Sequence, residues 1–229
     1  MSLSPTVDVK VAADAALLVR PGCFGRHPQC TPDRPVVPFR SRLAFSRLKA
    51  GNYVLFRVTN QTFSINSPYS GAYVTRVDLG SRDILFIRLD HVLAFSENCF
   101  PARKWQFDLI SAITRRWSYT YFCGPGTLYT LGVNGLTTER VDGAAEYDSN
   151  KVVGWTHTLR SGVTSKHSWL TAALGKTEVC IDLFEGKGMV LVQASGTPIS
   201  RLEPANYSQG VLTWVEFVCA VLGLPWQFR

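Results

Sequence analysis

Two segments of this chain repeat each other about sixty residues apart, and this repeat constrains the fold more than any other feature. The run Val92–Ser96 is matched by Val152–Thr156, and the run Phe122–Tyr129 is matched by Phe184–Leu191. Both pairs occur in the same order with similar gaps between them, as in a duplicated supersecondary unit. We therefore expect two copies, at about residues 85–135 and 145–197. A duplication of this kind indicates an architecture but names no chemistry.

Short segments of β-branched and aromatic residues follow one another along the chain, and Gly, Pro, Asn or Asp separates them. The clearest predicted strands are residues 53–58, 72–77, 84–89 and 117–122. This spacing predicts an all-β protein, namely an internally repeated antiparallel β-sandwich or prism. Helical exceptions are expected in each copy and near the C-terminus, over residues 104–114, 169–174 and 208–222.

The 229 residues are expected to form one globular domain with three regions. Residues 1–50 are rich in Pro and Arg and are a candidate for part of a diverged first repeat. Residues 51–200 form the β-repeat domain, and residues 201–229 form a tail that contains the C-terminal helix. The sequence contains no apolar run of the roughly 20 residues that a membrane-spanning helix needs. With no export signal recognised either, the expected location is cytoplasmic, or mitochondrial in a eukaryote.

The formal net charge of +7 is concentrated in one segment. Residues 34–49 contain five basic residues and no acidic one, whereas residues 1–33 are balanced. Such a segment could contact a nucleic acid or an anionic membrane surface. A solvated strand edge or loop is the simpler explanation, because basic residues also protect sheet edges. The candidate polyanion contacts are Arg34, Arg40, Arg42, Arg47 and Lys49.

The glycine pairs of the two copies are predicted to be structural turns. A phosphate-binding loop places its glycines before a helix, but here both pairs precede strand-like segments. Pro125 suits the first central position of a β-turn, and Gly126 tolerates a positive φ at the second. The predicted turn residues are Gly124, Pro125 and Gly126 in the first copy, and Gly186 and Gly188 in the second.

The sequence carries no recognisable catalytic or metal-binding signature. The four histidines are dispersed, and the run from Cys23 to Cys30 lacks a standard metal-ligand spacing. Six cysteines without a C-x-x-C motif are expected to be free thiols. Carboxylates that could pair in space are not distinguished by the sequence: Asp78, Asp83, Asp90, Asp142, Asp148 and Asp182. The prediction is therefore no catalytic residue, no cofactor and no metal.

Several of these motifs together resemble the altered-inheritance-of-mitochondria protein 24 family. The resemblance covers roughly residues 50–196 and depends on the order of short motifs. They are Thr75–Gly80, Ile84–Ile87, Val92–Ser96 and Phe122–Gly126, followed by Val152–Trp155 and Phe184–Gly188. The Pro- and Arg-rich N-terminal third and the tail after Ser195 depart from the family pattern.

The resemblance implies a β fold related to the trp RNA-binding attenuation protein, with pseudo-threefold β repeats. It also implies homo-oligomers, with a trimer expected, and a scaffolding role, since the fungal members are associated with the organisation of the mitochondrial inner membrane. The leading hypothesis is thus a non-catalytic homo-oligomeric scaffold or interaction protein. The alternatives are a module that binds nucleic acid or an anionic membrane surface, and an enzyme whose catalytic groups are distant in sequence.

Overall fold

The protein is all-β in the computed structural model, which describes residues 4–25, 34–36, 55–105, 118–165, 180–197 and 199. Apart from one 3₁₀ turn at Leu89–His91, the regular elements of this part of the chain are strands. In chain order they are β1 (Thr6–Lys10), β2 (Ala16–Val19), β3 (Phe24–Gly25), β4 (Arg34–Val36), β5 (Leu55–Thr59), β6 (Thr62–Asn66), β7 (Ala72–Leu79), β8 (Ile84–Ile87), β9 (Val92–Ser96), β10 (Phe100–Trp105), β11 (Ser118–Cys123), β12 (Gly126–Val133), β13 (Leu136–Asp148), β14 (Val152–Thr156), β15 (Arg160–Ser165) and β16 (Cys180–Gln193). The expectation of an all-β fold is confirmed.

The strands form three antiparallel sheets. A three-stranded sheet has the order β1-β6-β3, and a six-stranded sheet has the order β4-β5-β2-β9-β12-β7. A seven-stranded sheet has the order β10-β11-β8-β14-β16-β13, and β15 also pairs with β16. Strands on both sides of residue 50 pair with one another, because β1 pairs with β6 and β2 pairs with β5. The N-terminal strands are therefore part of the same set of sheets.

The same order of pairings recurs three times along the chain. We call residues 6–66 unit 1, residues 72–133 unit 2 and residues 136–193 unit 3. Units 1 and 2 each contain six strands. In unit 3 the first two strands are fused into β13 and the last two into β16, so four strands make the same pairings.

The registers of units 2 and 3 coincide residue by residue. In unit 2, Phe100 pairs with Cys123. In unit 3, Arg160, which is 60 positions after Phe100, pairs with Glu185, which is 62 positions after Cys123. The pairings of β9 with β12 and of β14 with β16 share the same irregularity, which leaves Leu93 and Val153 unmatched. A bulge conserved between two copies indicates that the repeat extends to backbone detail.

Neighbouring units join by one strand pair, which we call a junction. At junction one, β2 of unit 1 pairs with β9 of unit 2, with Leu18 opposite Phe95. At junction two, β8 of unit 2 pairs with β14 of unit 3, with Phe86 opposite Trp155. In unit 3 the strand equivalent to β2 and β8 is the second half of β13, and in unit 1 the strand equivalent to β9 and β14 is β3. We call this position the third junction.

Three hydrophobic clusters fill the units. The first combines residues of β1 and β6 with residues of the six-stranded sheet, including Phe63 and Leu131. The second lies between the six- and seven-stranded sheets and includes Phe122. The third belongs to unit 3 and contains Trp155 and Phe184, with half-buried residues packed against it. The first two clusters therefore span neighbouring units, whereas the buried members of the third cluster all come from unit 3.

One segment that was predicted to be helical begins as a strand. Lys104 and Trp105, the start of a predicted helix, end strand β10 instead. Asp142 and Gly143, a residue pair typical of turns, lie inside β13. The turn at Asn134–Gly135 is present, with positive φ values of 57° and 102°. Residues 106–114, 169–174 and 208–222, where helices were predicted, lie outside the described part of the chain.

Candidate assembly surface

In unit 2 the predicted glycine position is a bend at the corner between the seven-stranded and the six-stranded sheet. Strand β11 ends at Cys123 and β12 begins at Gly126, so Gly124 and Pro125 connect two strands. Gly126 has a φ of 154°, and a Cβ there would lie 2.5 Å from the Cys99 sulfur. A Cβ on Gly124 would overlap the carbonyl oxygen of Gly80, a backbone atom that cannot rotate away. These residues therefore have a structural role.

The matching glycines of unit 3 do not form a turn. Gly186 and Gly188 lie in the middle of β16, which continues from Cys180 to Gln193. Gly186 pairs directly with Gly143 of β13, and their φ values are 119° and 115°. Two paired strands of unit 3 thus have glycines opposite each other. At the equivalent place in unit 2, short connections separate β7 from β8 and β11 from β12. The sequence similarity was real, but the prediction of a second turn is wrong.

The basic segment is almost entirely outside the described residues. The backbone of Arg34 lies in β4, opposite Arg57 of β5. The other four candidate polyanion contacts, Arg40, Arg42, Arg47 and Lys49, lie outside the described part of the chain. The polyanion hypothesis therefore stays a prediction from sequence.

The six candidate carboxylates have separate partners. Asp182 is 4% exposed and accepts a 2.7 Å hydrogen bond from the Ser149 hydroxyl. Asp78 is partly desolvated, but hydrogen bonds from Thr127 and Arg76 outweigh this effect and lower the pKa of the carboxyl group. The rest are engaged with a backbone amide or a basic side chain: Asp83 with Gly80, Asp148 with Asn150, Asp90 with Arg88, and Asp142 with Lys187. These contacts stabilise turns and strands.

Buried polar and thiol groups are likewise part of the core. His91 is fully buried, and its Nδ1 donates to the Leu131 carbonyl oxygen 2.8 Å away. Burial lowers the pKa of His91 and raises those of Cys23 and Cys99 to about 11. Cys23, Cys99 and Cys123 are free thiols. Among the described residues, no group of three potential metal ligands comes together, and no helix is long and apolar enough to cross a membrane.

The third junction differs from the other two junctions because its two strands, β3 of unit 1 and β13 of unit 3, are not paired with each other. In the described part of the chain, β3 pairs only with β6, and the second half of β13 pairs only with β16. Strands β2 and β8, which occupy closed junctions, alternate between half-buried and buried residues. At the equivalent positions of β13, residues 144–147, the alternation is between exposed and half-buried. Every position is one step more exposed.

The opposite strand shows the same difference. Ala94 and Gly154 are buried at junctions one and two, whereas the equivalent Phe24 of β3 is only half-buried. Phe24 stacks on Phe63 at a centroid distance of 5.0 Å and packs against the first hydrophobic cluster, but part of its surface stays exposed. Both strands of the third junction therefore present an aromatic residue with uncovered surface, because Tyr147 on β13 is also half-buried.

The sequence of the junctions explains why the third differs. Each closed junction contains one pair of large apolar side chains, Leu18 opposite Phe95 and Phe86 stacked on Trp155 at 5.4 Å. The equivalent positions of the third junction are Glu146 and Gly25, which supply no such pair. The large residues, Phe24 and Tyr147, instead occupy the neighbouring position, where the closed junctions have small or aliphatic residues. Sequence reasoning missed these residues; aligning all three units would have revealed the exchange.

Comparison with known proteins supports the fold. The chain is similar to protein SPYM3_0169 from Streptococcus pyogenes, a structural genomics target, with a TM-score of 0.61 at 15% sequence identity. The alignment covers 95% of each chain. At this level of identity the similarity shows an all-β fold and carries no function. No protein-family model and no curated protein matches the chain.

Proposed function

We propose that the protein is a non-catalytic homo-oligomeric scaffold or interaction protein. The observation that carries the proposal is the third junction, where two strands each have one edge without a strand neighbour among the described residues and each carry a half-buried aromatic side chain. Open strand edges template pairing with other chains. Two uncovered edges on one chain suit repeated self-association, and the family resemblance adds the expectation of a trimer.

Light scattering coupled to size-exclusion chromatography tests this proposal on the full chain. The proposal predicts a molar mass that is a multiple of 25.4 kDa, with three chains as the expected state. Affinity capture followed by mass spectrometry would then identify partners of the assembly. A mass of one chain at every accessible concentration would refute self-association.

The second candidate is a polyanion-binding module, favoured by the five basic residues without an acid in residues 34–49. Binding of this kind weakens steeply with salt because counterions are released. Neutralising Arg40, Arg42 and Arg47 together should abolish retention of the protein on a single-stranded oligonucleotide or an anionic vesicle. Retention that ignores both salt and these substitutions would eliminate this candidate.

A further inference from the structure

We propose that the third junction forms between two copies of the chain, an inference that rests on the proposed self-association and names its surface. The second half of β13 in one copy pairs antiparallel with β3 of the next copy. Transferring the register of junctions one and two places Tyr147 opposite Phe24 and Glu146 opposite Gly25. Each contact joins the β13 edge of one copy to the β3 edge of the next, so the interface is heterologous. Such an interface closes into a ring if the rotation between successive copies allows it.

The aromatic pair supplies the apolar contact that each closed junction has. Tyr147 packs edge-on against Phe184 of its own unit at 5.9 Å, and Phe24 stacks on Phe63 of its own unit. Each ring is therefore packed against a core residue of its own unit and keeps part of its surface exposed. Aromatic residues directly opposite each other in antiparallel strands stabilise the pairing. Covering both rings would give them the burial that Val19 and Ile87 have at the closed junctions.

Charge selects β3 rather than a second β13 as the partner strand. The exposed positions of the β13 edge include Glu146 and Asp148. Two such edges side by side would bring carboxylates together, and like charges opposite each other destabilise a sheet. Strand β3 carries no charge, and in the sequence it is flanked by Arg20 and Arg26. The acidic edge therefore disfavours pairing with itself and accepts the opposite strand.

We assign the pairing to a second copy because β3 and the second half of β13, both among the described strands, do not pair with each other within the chain. Strand β3 is fixed in register to β6, and the second half of β13 is fixed in register to β16. Both strands are thus formed and ready to pair, yet in the described structure each ends its sheet. Junctions one and two show that the fold accepts an antiparallel neighbour at this position, so the interface continues an arrangement already present twice within the chain.

Cysteine cross-linking between two singly substituted chains tests the proposal. Phe24→Cys and Tyr147→Cys proteins are mixed, exchanged and oxidised, and the product is mapped by mass spectrometry. A disulfide between positions 24 and 147 in this mixture can only join two chains. The proposal predicts it as the main new product. A mixture of Phe24→Cys with Ala144→Cys, which lies three residues out of register on the same strand, should give little. The unsubstituted chain controls for the native cysteines.

A second variant keeps the test valid if a cysteine substitution impairs folding. Tyr147→Ser should lose the assembled species in light scattering while keeping the β-sheet circular dichroism spectrum. The matched control is Tyr121→Ser, which removes another half-buried tyrosine, on β11, away from the third junction. Tyr121→Ser should retain the mass of the wild type.

The outcomes separate this inference from the proposed function. An assembled protein that gives no 24–147 cross-link and keeps its mass in Tyr147→Ser overturns the inference and leaves self-association intact. An intrachain 24–147 disulfide in the Phe24→Cys, Tyr147→Cys double variant, with no interchain product in the mixture, also overturns it, because the chain then closes on itself. A protein that is a single chain at every concentration overturns both.

Discussion

Unit 2 and unit 3 pair their strands in the same registers. Short connections interrupt the strands of unit 2 at two places, however, where the strands of unit 3 are continuous. In unit 2, residues 80–83 separate β7 from β8, and Gly124–Pro125 separates β11 from β12. These two connections contact each other at what we call the unit 2 corner, since the Gly124 amide donates to the Asp83 carbonyl oxygen at 3.0 Å. In unit 3 the same level is crossed by Gly143 and Gly186 within continuous strands. The two units therefore share the pairing register but differ in the backbone path at this position.

The largest effect is expected from a side chain at the unit 2 corner. Gly124→Ala places a Cβ against the Gly80 carbonyl group, so the backbone of one of the two connections must shift. We expect a loss of about 3 kcal/mol in the free energy of unfolding. Gly143→Ala is the matched variant in unit 3, where a Cβ has open space and only the positive φ opposes it; about 1 kcal/mol is expected. Urea denaturation of both measures the difference, and equal losses would contradict the corner comparison.

The next effect concerns a buried amide that only unit 3 has. Gln193 is 1% exposed; its Oε1 accepts from the Val133 amide, and its Nε2 donates to the carbonyl oxygens of Asn150 and Thr197. Its counterpart in unit 2 is the apolar Leu131, 62 residues earlier. Gln193→Leu leaves three backbone groups without these partners and should cost about 2 kcal/mol. Thermal unfolding checks this, and an unchanged midpoint would show that the link between the units is dispensable.

A third prediction uses pH. His91 of unit 2 is buried, and burial lowers its pKa, whereas the matching residue of unit 3 is the half-buried Lys151. Below the ordinary value of about 6.5, the unfolded chain binds a proton that the folded chain resists, so stability falls as pH falls. One such proton gives a slope of at most about 1.4 kcal/mol per pH unit.

Chemical denaturation between pH 7 and pH 5 measures this slope. His91→Gln should flatten it, because the residue that takes up the proton on unfolding is gone. The matched control is His157→Gln, which replaces an exposed histidine of unit 3 and should leave the slope unchanged. A slope that survives His91→Gln would assign the acid sensitivity to other groups.

The smallest effect is expected at an ion pair beside junction one. Both Nε and Nη2 of Arg57 donate to the Glu97 carboxylate, at 3.2 and 2.9 Å. The side chains are 31% and 48% exposed, so solvent screens the attraction. Unit 3 has His157 at the position equivalent to Glu97 and so lacks this carboxylate. Glu97→Gln should cost about 0.5 kcal/mol or less, measured by urea denaturation at low salt. A loss above that of Gly143→Ala would show that the pair is needed for junction one.

The sequence predicted the fold class and the strands of unit 2 because alternation and turn residues are local signals. Ile84–Ile87 and Ser118–Cys123 lie within two residues of the predicted strands. Strand β13 was missed because its many exposed charged and small residues, including Asp142 and Gly143, mimic a turn. The third junction could not be predicted from local pattern, since Phe24 and Tyr147 are 123 positions apart and acquire meaning only through the registers of the other two junctions.

Amide hydrogen exchange followed by NMR tests the central claim, that two junctions are closed within the chain and the third is open. The comparison is between residues 84–87 at junction two and residues 144–147 at the third junction, in dilute protein with the mass of one chain. A strand with neighbours on both sides protects all its amides, whereas a strand with one neighbour protects every second amide. We predict full protection over 84–87 and alternating protection over 144–147. Full protection of both segments in the single chain would contradict this account.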